Sequence, residues 1–210
     1  MKKRKNIKVE SASGSPFLLD AFVPEDASTC PVVVFAHGFK GFKDWGCWDL
    51  VAKEFVEAGY AFVKFNFSHN GTTPEAPQDF ADLDKFGNNN FTKELQDLDA
   101  VLDWVEEEAN RQGSIEIDSH HISLIGHSRG GGISIIKAAQ NERVKALITW
   151  ASVARLDYGW HEKDHYIREW KEKGVQYIYN GRTKQMMPLY YQLYENFEQH
   201  KEAYDISSAL

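Results

Sequence analysis

Short apolar runs alternate along the chain with segments whose hydrophobic residues recur every three or four positions. The runs predict strands, and they lie at 7–10, 17–23, 31–36, 61–67, 122–125 and 144–150. The helical spacing recurs from Trp48 to Gly59 and from Leu95 to about Gly113. We expect the last four runs to be buried strands, because continuous β-branched runs are typical of parallel sheets covered on both faces. This alternation predicts an α/β fold with a mostly parallel sheet flanked by helices.

The segment that follows the last predicted strand has a different character. Its tryptophans, tyrosines and phenylalanines are spread over long polar stretches. We therefore predict a helical lid at 156–205 over a core formed by 1–155. Within the lid we expect a strand at 175–179 and a helix that begins at Pro188.

A serine flanked by glycines follows the predicted strand at 122–125. Gly126-His127-Ser128-Arg129-Gly130 fits the pattern G-x-S-x-G, and a helix rich in small residues is predicted directly after it. In that context the serine occupies a sharp strand-to-helix turn that exposes its hydroxyl. The sequence therefore predicts Ser128 as a catalytic nucleophile.

Acyl transfer to a serine also needs donors that hold the developing oxyanion. At such a turn one donor is the backbone N–H of the next residue, Arg129, and the other comes from the loop after an earlier strand, here from Phe39. Gly38 and Gly41 allow that loop to curl against the serine. We expect His37 to brace the loop through side-chain hydrogen bonds rather than to act as a catalytic base.

Three segments together carry a resemblance to a known family. They are His37-Gly38-Phe39, Phe65-Asn66-Phe67-Ser68-His69-Asn70-Gly71 and Gly126-His127-Ser128-Arg129-Gly130-Gly131. The chain resembles the α/β-hydrolase superfamily over about 17–155, and within it the serine-aminopeptidase-like and cinnamoyl-esterase-like branch. Asn180-Gly181-Arg182-Thr183 is compatible with one bacterial subgroup of that branch. The resemblance implies an α/β-hydrolase fold, hydrolysis of a small-molecule ester or amide through an acyl-enzyme on Ser128, no cofactor or metal, and a lid over the serine.

The same resemblance sets an expectation that the sequence does not meet. In this family an acid and then a histidine follow the serine along the chain, each after a later strand. Because only one predicted strand follows Ser128, we expect the C-terminal core strands, with the acid and the histidine, to be absent from these 210 residues. The alternative is a base and an acidic partner from the lid, and the candidates are His161, His165 and His200 with Asp157, Asp164 and Asp205.

A second motif suggests a different chemistry. His161-Glu162-Lys163-Asp164-His165 matches H-E-x-x-H, which on one helix would place two imidazoles on a zinc ion beside a glutamate base. The surrounding segment is densely charged, and the downstream Glu195, Glu198 and His200 lie at no recognisable third-ligand spacing. We therefore disfavour a zinc metallopeptidase.

A non-catalytic protein with an α/β-hydrolase fold is the other alternative. In such a protein the aromatic lid would hold a ligand while the serine stays idle, since a fold alone does not specify a function. Ester turnover that depends on Ser128 separates the enzyme from the binding protein.

Composition narrows the expected partners and location. A net charge of −7 is unlike the concentrated Lys and Arg of proteins that bind nucleic acid or anionic membranes, so we expect neither partner. No apolar stretch follows the basic segment 1–8, and we therefore predict a cytoplasmic location. Cys30 and Cys47 belong to no Cys/His cluster, so the sequence indicates neither a disulfide framework nor a zinc finger.

Overall fold

The fold is seen in a computed structural model that describes residues 1–25, 29–111 and 117–209, apart from the side chain of His161. The strands of the main sheet are β1 (Lys2–Val9), β2 (Phe17–Val23), β3 (Cys30–Ala36), β4 (Ala61–Phe65), β5 (Ile117–His127) and β6 (Val144–Trp150). The helices of the same part of the chain are α1 (Trp48–Glu57), α2 (Leu83–Gly87), α3 (Phe91–Asn110) and α4 (Arg129–Gln140). The later segment contains α5 (Asp164–Lys173), β7 (Val175–Asn180), β8 (Gln185–Tyr190) and α6 (Gln192–His200).

The main sheet has the strand order β1-β2-β4-β3-β5-β6. The strands β4, β3, β5 and β6 are parallel, whereas β1 and β2 pair antiparallel at one end of the sheet. The prediction of a mostly parallel sheet flanked by helices is confirmed. Because Ala36 at the end of β3 pairs with Gly126 near the end of β5, the loops that follow these two strands begin side by side.

The central strand β3 is buried on both faces, as its sequence predicts. Val32 and Val34 belong to the larger hydrophobic cluster, which includes residues of α3 and α4. Val33 and Phe35 point to the opposite face and pack in a smaller cluster that includes residues of α1. Alternate side chains of one strand therefore hold helices on both sides of the sheet.

The prediction that 144–150 is a buried strand is wrong. β6 pairs with β5 along one edge, and within the described residues no strand lies along its other edge. None of its residues is fully buried, and Ile148 is 44% exposed. Apolar composition alone did not distinguish a central strand from an edge strand, because both carry β-branched residues.

Several of the aromatic residues after 155 join the core cluster, among them Trp160, Trp170 and Tyr204. Trp170 is fully buried, and its indole Nε1 donates a hydrogen bond to the Leu189 carbonyl over 2.7 Å. Trp160 and Tyr204 both lie against Phe91 of α3. The division into a core at 1–155 and a lid at 156–205 remains a prediction.

The predicted helix start at Pro188 is wrong, whereas the predicted strand at 175–179 is confirmed. Pro188 lies within β8, opposite Tyr177 of β7, and α6 begins four residues later at Gln192. A proline is tolerated here because a two-stranded ribbon leaves one side of each strand without ladder hydrogen bonds.

Within the described residues, no helix combines the length and the hydropathy that crossing a bilayer requires.

A buried group of charges lies where β2 and β4 meet the start of α1. Asp20 and Lys64 are inaccessible to solvent, and Lys43 lies 2.9 Å from Asp20. The Lys64 ammonium lies 2.6 Å from Asp44 and 2.6 Å from Asp49. Burial by itself would raise the pKa of Asp44, but hydrogen bonds from Lys43 and Lys64 lower that pKa to about 2. Each buried charge therefore depends on a partner of opposite sign.

We expect Lys64→Met to lower the free energy of unfolding by about 3 to 5 kcal/mol, because it leaves Asp20, Asp44 and Asp49 around a single buried cation, Lys43. Lys53→Met is the matched control, since Lys53 pairs with Glu57 at 3.4 Å on the surface of α1 and should lose about 1 kcal/mol or less. Chemical denaturation of both variants measures the difference. Equal losses in the two variants would contradict the account.

Candidate active site

Ser128 links β5 to α4 in a strained backbone conformation. Its φ is 53° and its ψ is −120°, and a positive φ is unfavourable for a residue with a side chain. Its N–H donates to the Trp150 carbonyl over 2.9 Å, and its own carbonyl accepts from the N–H groups of Gly131 at 2.9 Å and Val153 at 3.2 Å. These bonds hold the sharp turn that the sequence predicts, while the nucleophilic role of Ser128 remains a prediction.

The glycines of the motif are required by close backbone packing. A Cβ added at Gly130 would overlap the carbonyl oxygens of Ala36 and His37. A Cβ added at Gly126 would overlap the backbone of Gly130. Gly130 therefore allows the end of β3 to lie directly against the turn, and Gly126 allows the start of α4 to pack against the end of β5.

The loop that follows β3 curls against the serine. A Cβ added at Gly38 would lie 3.0 Å from the Ser128 Cβ. The loop is closed by a hydrogen bond of 3.0 Å from the Gly41 N–H to the Gly38 carbonyl, and Lys40 within it has a φ of 55°. The expected approach of this loop to Ser128 is therefore present.

His37 is buried and hydrogen-bonded within this loop and its neighbour. Its Nδ1 donates to the Gly38 carbonyl over 2.9 Å, and its Nε2 accepts at 3.4 Å from the Phe67 N–H and from the Asn70 side chain. Burial lowers the pKa of His37 to about 4, so the ring is neutral at pH 7. These contacts match the bracing role that we expect for His37.

The Arg129 side chain is buried between two aromatic rings. Its guanidinium carbon lies 4.9 Å from the centre of the Phe39 ring and 4.6 Å from that of Phe91. Its Nε donates to Glu94 Oε2 over 3.0 Å, and its Nη2 lies 2.9 Å from Glu94 Oε1. The two residues predicted to donate to an oxyanion, Phe39 and Arg129, are thus in direct side-chain contact, although the roles of their N–H groups remain predictions.

Two cavities meet at Phe39. The smaller one, of about 70 Å³, contains Ser128, and it is lined by His37, Gly38, Phe39, Lys40, Gly41, Trp45, Trp48, His127, Ser128 and Arg182. The larger one, of about 510 Å³, is mainly aromatic and aliphatic, and it is lined by Phe39, Arg129, Tyr158, Trp160, Lys163, Tyr166, Ile178, Leu189 and Leu193. Phe39 therefore borders both the cavity that contains Ser128 and the larger, mainly apolar cavity.

Two of the three alternative bases, His165 and His200, do not line the cavity at Ser128. His165 lines a separate charged surface cleft with Arg168 and Glu169. His200 lies 2.9 Å from the Asn196 carbonyl through Nδ1 and packs against Tyr204. The lid alternative is therefore wrong for these two histidines, because their helices hold them in other surroundings.

Their proposed acidic partners also have other contacts. Asp157 pairs with Arg155 at 2.8 Å, and Asp205 accepts hydrogen bonds from Ser207 and Ser208. Asp164 is the first residue of α5 and does not line the Ser128 cavity. The side chain of His161 lies outside the described residues, so its part in the alternative remains a prediction.

The H-E-x-x-H motif does not lie on one helix. His161 and Glu162 belong to a 3₁₀ turn, Trp160–Glu162, whereas His165 lies in α5 after a break at Lys163. The one-turn spacing of two imidazoles that zinc requires presupposes a continuous helix. Among the described residues the group of side chains close enough to hold a metal is Asp20, Asp44 and Asp49, and these carboxylates are already paired with Lys43 and Lys64.

Three residues that lie at the site received no site role from the sequence, namely Glu94, Tyr158 and Arg182. For Glu94 a signal existed, because it is spaced four residues from Leu98 on the buried stripe of α3, and a buried carboxylate needs a cation. Tyr158 and Arg182 reach the cavities through tertiary contacts. The sequence offers no local pattern at Tyr158, and the segment Asn180-Gly181-Arg182-Thr183 carried a resemblance but no site role for Arg182.

Comparison with known proteins places these features in a family. The family model for the α/β-hydrolase fold matches residues 31–203. A 31.7 kDa protein from the traX-finO intergenic region of Escherichia coli is 29% identical over 135 residues, which cover 64% of this chain and 42% of that protein. The quorum-quenching protein AidA of Acinetobacter baumannii is 26% identical over 126 residues, which cover 60% of this chain and 36% of AidA. The matched segment thus spans less than half of each relative.

A solved structure shows the same fold. Est1E from Butyrivibrio proteoclasticus superposes with a TM-score of 0.61 at 16% identity, covering 93% of this chain and 70% of that chain. The family model covers most of the sequence and includes the serine turn between β5 and α4. The chain belongs to the α/β-hydrolase fold family.

Proposed function

We propose that this protein is a serine hydrolase that cleaves a small-molecule carboxylic ester, or a related amide, through an acyl-enzyme on Ser128. One observation carries the proposal: Ser128 is held at a φ of 53° beside a cavity and close to Gly38. A Cβ added at Gly38 would lie 3.0 Å from the Cβ of Ser128. Strained backbone of this kind persists where the surroundings over-determine it, and it clusters at functional sites.

The chemistry assigns a task to each element of the turn. The Ser128 Oγ attacks the carbonyl carbon, its proton passes to a base, and the backbone N–H groups of Phe39 and Arg129 stabilise the oxyanion. Collapse of the resulting tetrahedral intermediate breaks the bond to the alcohol, which leaves with a proton. Water then hydrolyses the acyl-enzyme and releases the acid from Ser128. We assign no base, because within the described residues no imidazole hydrogen-bonds the Ser128 hydroxyl.

The ion pair between Arg129 and Glu94 supports the proposed oxyanion donors. It anchors the first residue of α4 to α3, and the guanidinium stacks on the Phe39 ring at 4.9 Å. Donors that are fixed before the reaction stabilise charge without a reorganisation cost. The pair therefore acts as a positioning element for two backbone N–H groups.

The larger cavity is the proposed acyl site. Its volume of about 510 Å³ is in the range of small-molecule pockets, and Ile178, Leu189 and Leu193 give it apolar walls. Because Phe39 borders both cavities, an acyl group attached to Ser128 would enter the larger one past this ring. We therefore expect a bulky, apolar or aromatic acyl group.

We expect Ser128→Ala to lower turnover of 4-nitrophenyl butyrate by about 10³-fold or more, because the substitution removes the nucleophile, whose loss costs about 10⁶-fold where the triad is complete. Ser134→Ala is the matched control: Ser134 lies in the same helix α4, and its buried hydroxyl has no hydrogen-bond partner among the described residues. Initial rates with full-length protein measure both effects. Equal turnover in the Ser128→Ala and wild-type proteins, or tight ligand binding without turnover, would favour the non-catalytic alternative.

We expect Ile178→Trp to change the acyl-chain preference, because the larger ring would fill the apolar cavity. Excluding two or more methylenes at about 0.8 kcal/mol each should lower kcat/KM for 4-nitrophenyl octanoate about tenfold, with little change for the acetate. Tyr177→Trp is the control, since Tyr177 is 56% exposed on the opposite face of β7. A uniform loss on both esters would argue against an acyl site in this cavity.

A further inference from the structure

The cavity at Ser128 is unusually cationic for this chain. Acidic residues exceed basic ones, 31 to 24, yet the charged side chains that line this cavity are those of Lys40 and Arg182, and no carboxylate of the described residues lines it. His37 also lines it but is neutral at pH 7, because burial lowers its pKa to about 4. A cleft lined by one sign of charge concentrates ligands of the opposite sign.

Arg182 is held in a defined orientation at this cavity. Its guanidinium carbon lies 3.8 Å from the centre of the Trp45 ring, and its Nη2 donates to the Lys40 carbonyl. The Arg182 N–H donates to the Asn180 side chain over 3.2 Å, which fixes the turn between β7 and β8. An arginine that is ordered in this way loses little entropy when its remaining donors bind a carboxylate.

Neither cation is neutralised within the described residues. The Lys40 ammonium has one contact, at 3.4 Å to the Tyr179 carbonyl, and the guanidinium of Arg182 bonds a carbonyl rather than an acid. Elsewhere in the chain buried or half-buried cations such as Arg129 and Lys137 have carboxylate partners. The positive charge at this cavity is therefore available to an anion that enters it.

We propose that the substrate carries a carboxylate on its alcohol half, and that Arg182, assisted by Lys40, binds this group beside Ser128. The inference rests on the proposed function, which places the acyl half in the larger cavity. The two halves of an ester diverge from the carbonyl carbon, so the alcohol half occupies the smaller cavity of about 70 Å³. A guanidinium binds a carboxylate through two parallel N–H donors, which makes Arg182 a specificity-determining residue.

Matched esters test the proposal in turnover. We compare 3-carboxyphenyl butyrate with 3-carbamoylphenyl butyrate, which has a neutral group in the same place. Wild-type protein should prefer the anionic ester about tenfold or more in kcat/KM, and 0.5 M NaCl should reduce this preference because the ion pair is partly exposed. Arg182→Gln should abolish the preference, and Arg182→Lys should retain part of it.

A control variant tests whether the effect depends on the position of the removed charge or only on the net charge of the turn. Lys184→Gln removes one positive charge from the same turn, two residues from Arg182, at a residue that does not line the cavity. This variant should keep the preference for the anionic ester. A preference that is absent from the wild type, or that Lys184→Gln reduces as strongly as Arg182→Gln does, would overturn the proposal.

Binding of the alcohol product tests the inference without turnover. Calorimetry on Ser128→Ala protein compares 3-hydroxybenzoate with 3-hydroxybenzamide. We expect tighter binding of the benzoate, lost in Ser128→Ala/Arg182→Gln, and equal binding of both compounds would contradict the inference. Hydrolysis of both esters with no anionic preference would refute the inference alone, whereas Arg182-dependent binding without any Ser128-dependent hydrolysis would refute the proposed function alone.

Discussion

The packing of Gly130 against the carbonyl oxygens of Ala36 and His37 is the contact on which the site depends. It exists because β3 and β5 are neighbours in the sheet, with Ala36 paired to Gly126. The segments that follow these two strands therefore leave the sheet at the same level. The turn at Ser128 and the loop at Gly38 then face each other across a few ångströms. A side chain at position 130 would force these segments apart, and the proposed oxyanion donors would separate from the serine hydroxyl.

A buried ion pair adds a second constraint to this backbone contact. Burying Arg129 and Glu94 is costly, because both charges lose their water, and a pair of this kind contributes more to geometry than to stability. Here the geometry in question is the position of α4 relative to Phe39, since the guanidinium stacks on that ring. The same ring borders both cavities. The Phe39 side chain therefore contacts the guanidinium that orders the turn and also forms part of the wall of the proposed substrate site.

The central features of the fold follow from local sequence patterns. The strands β3 and β5, the turn at Ser128 and the neighbouring loop were all predictable, because buried strands and G-x-S-x-G have short, specific signatures. Features that depend on contacts between distant parts of the chain were not predictable. The exposure of β6 reflects its position at the sheet edge, and the cationic cavity arises only when the turn carrying Arg182 reaches the loop at Lys40, 142 residues earlier. Proline gave a misleading signal at 188, since it suits a ribbon strand as well as a helix start.

The central claim is that Ser128 is a reactive nucleophile, and covalent labelling by a fluorophosphonate tests it most directly. Intact-mass and peptide mass spectrometry of the full-length protein should show a single phosphonyl adduct on Ser128, lost in Ser128→Ala and after heat denaturation but retained in Ser134→Ala. The denatured control matters because the reactivity should depend on the folded turn. Absence of any adduct on the native protein, or an adduct that forms equally on another serine, would contradict the account.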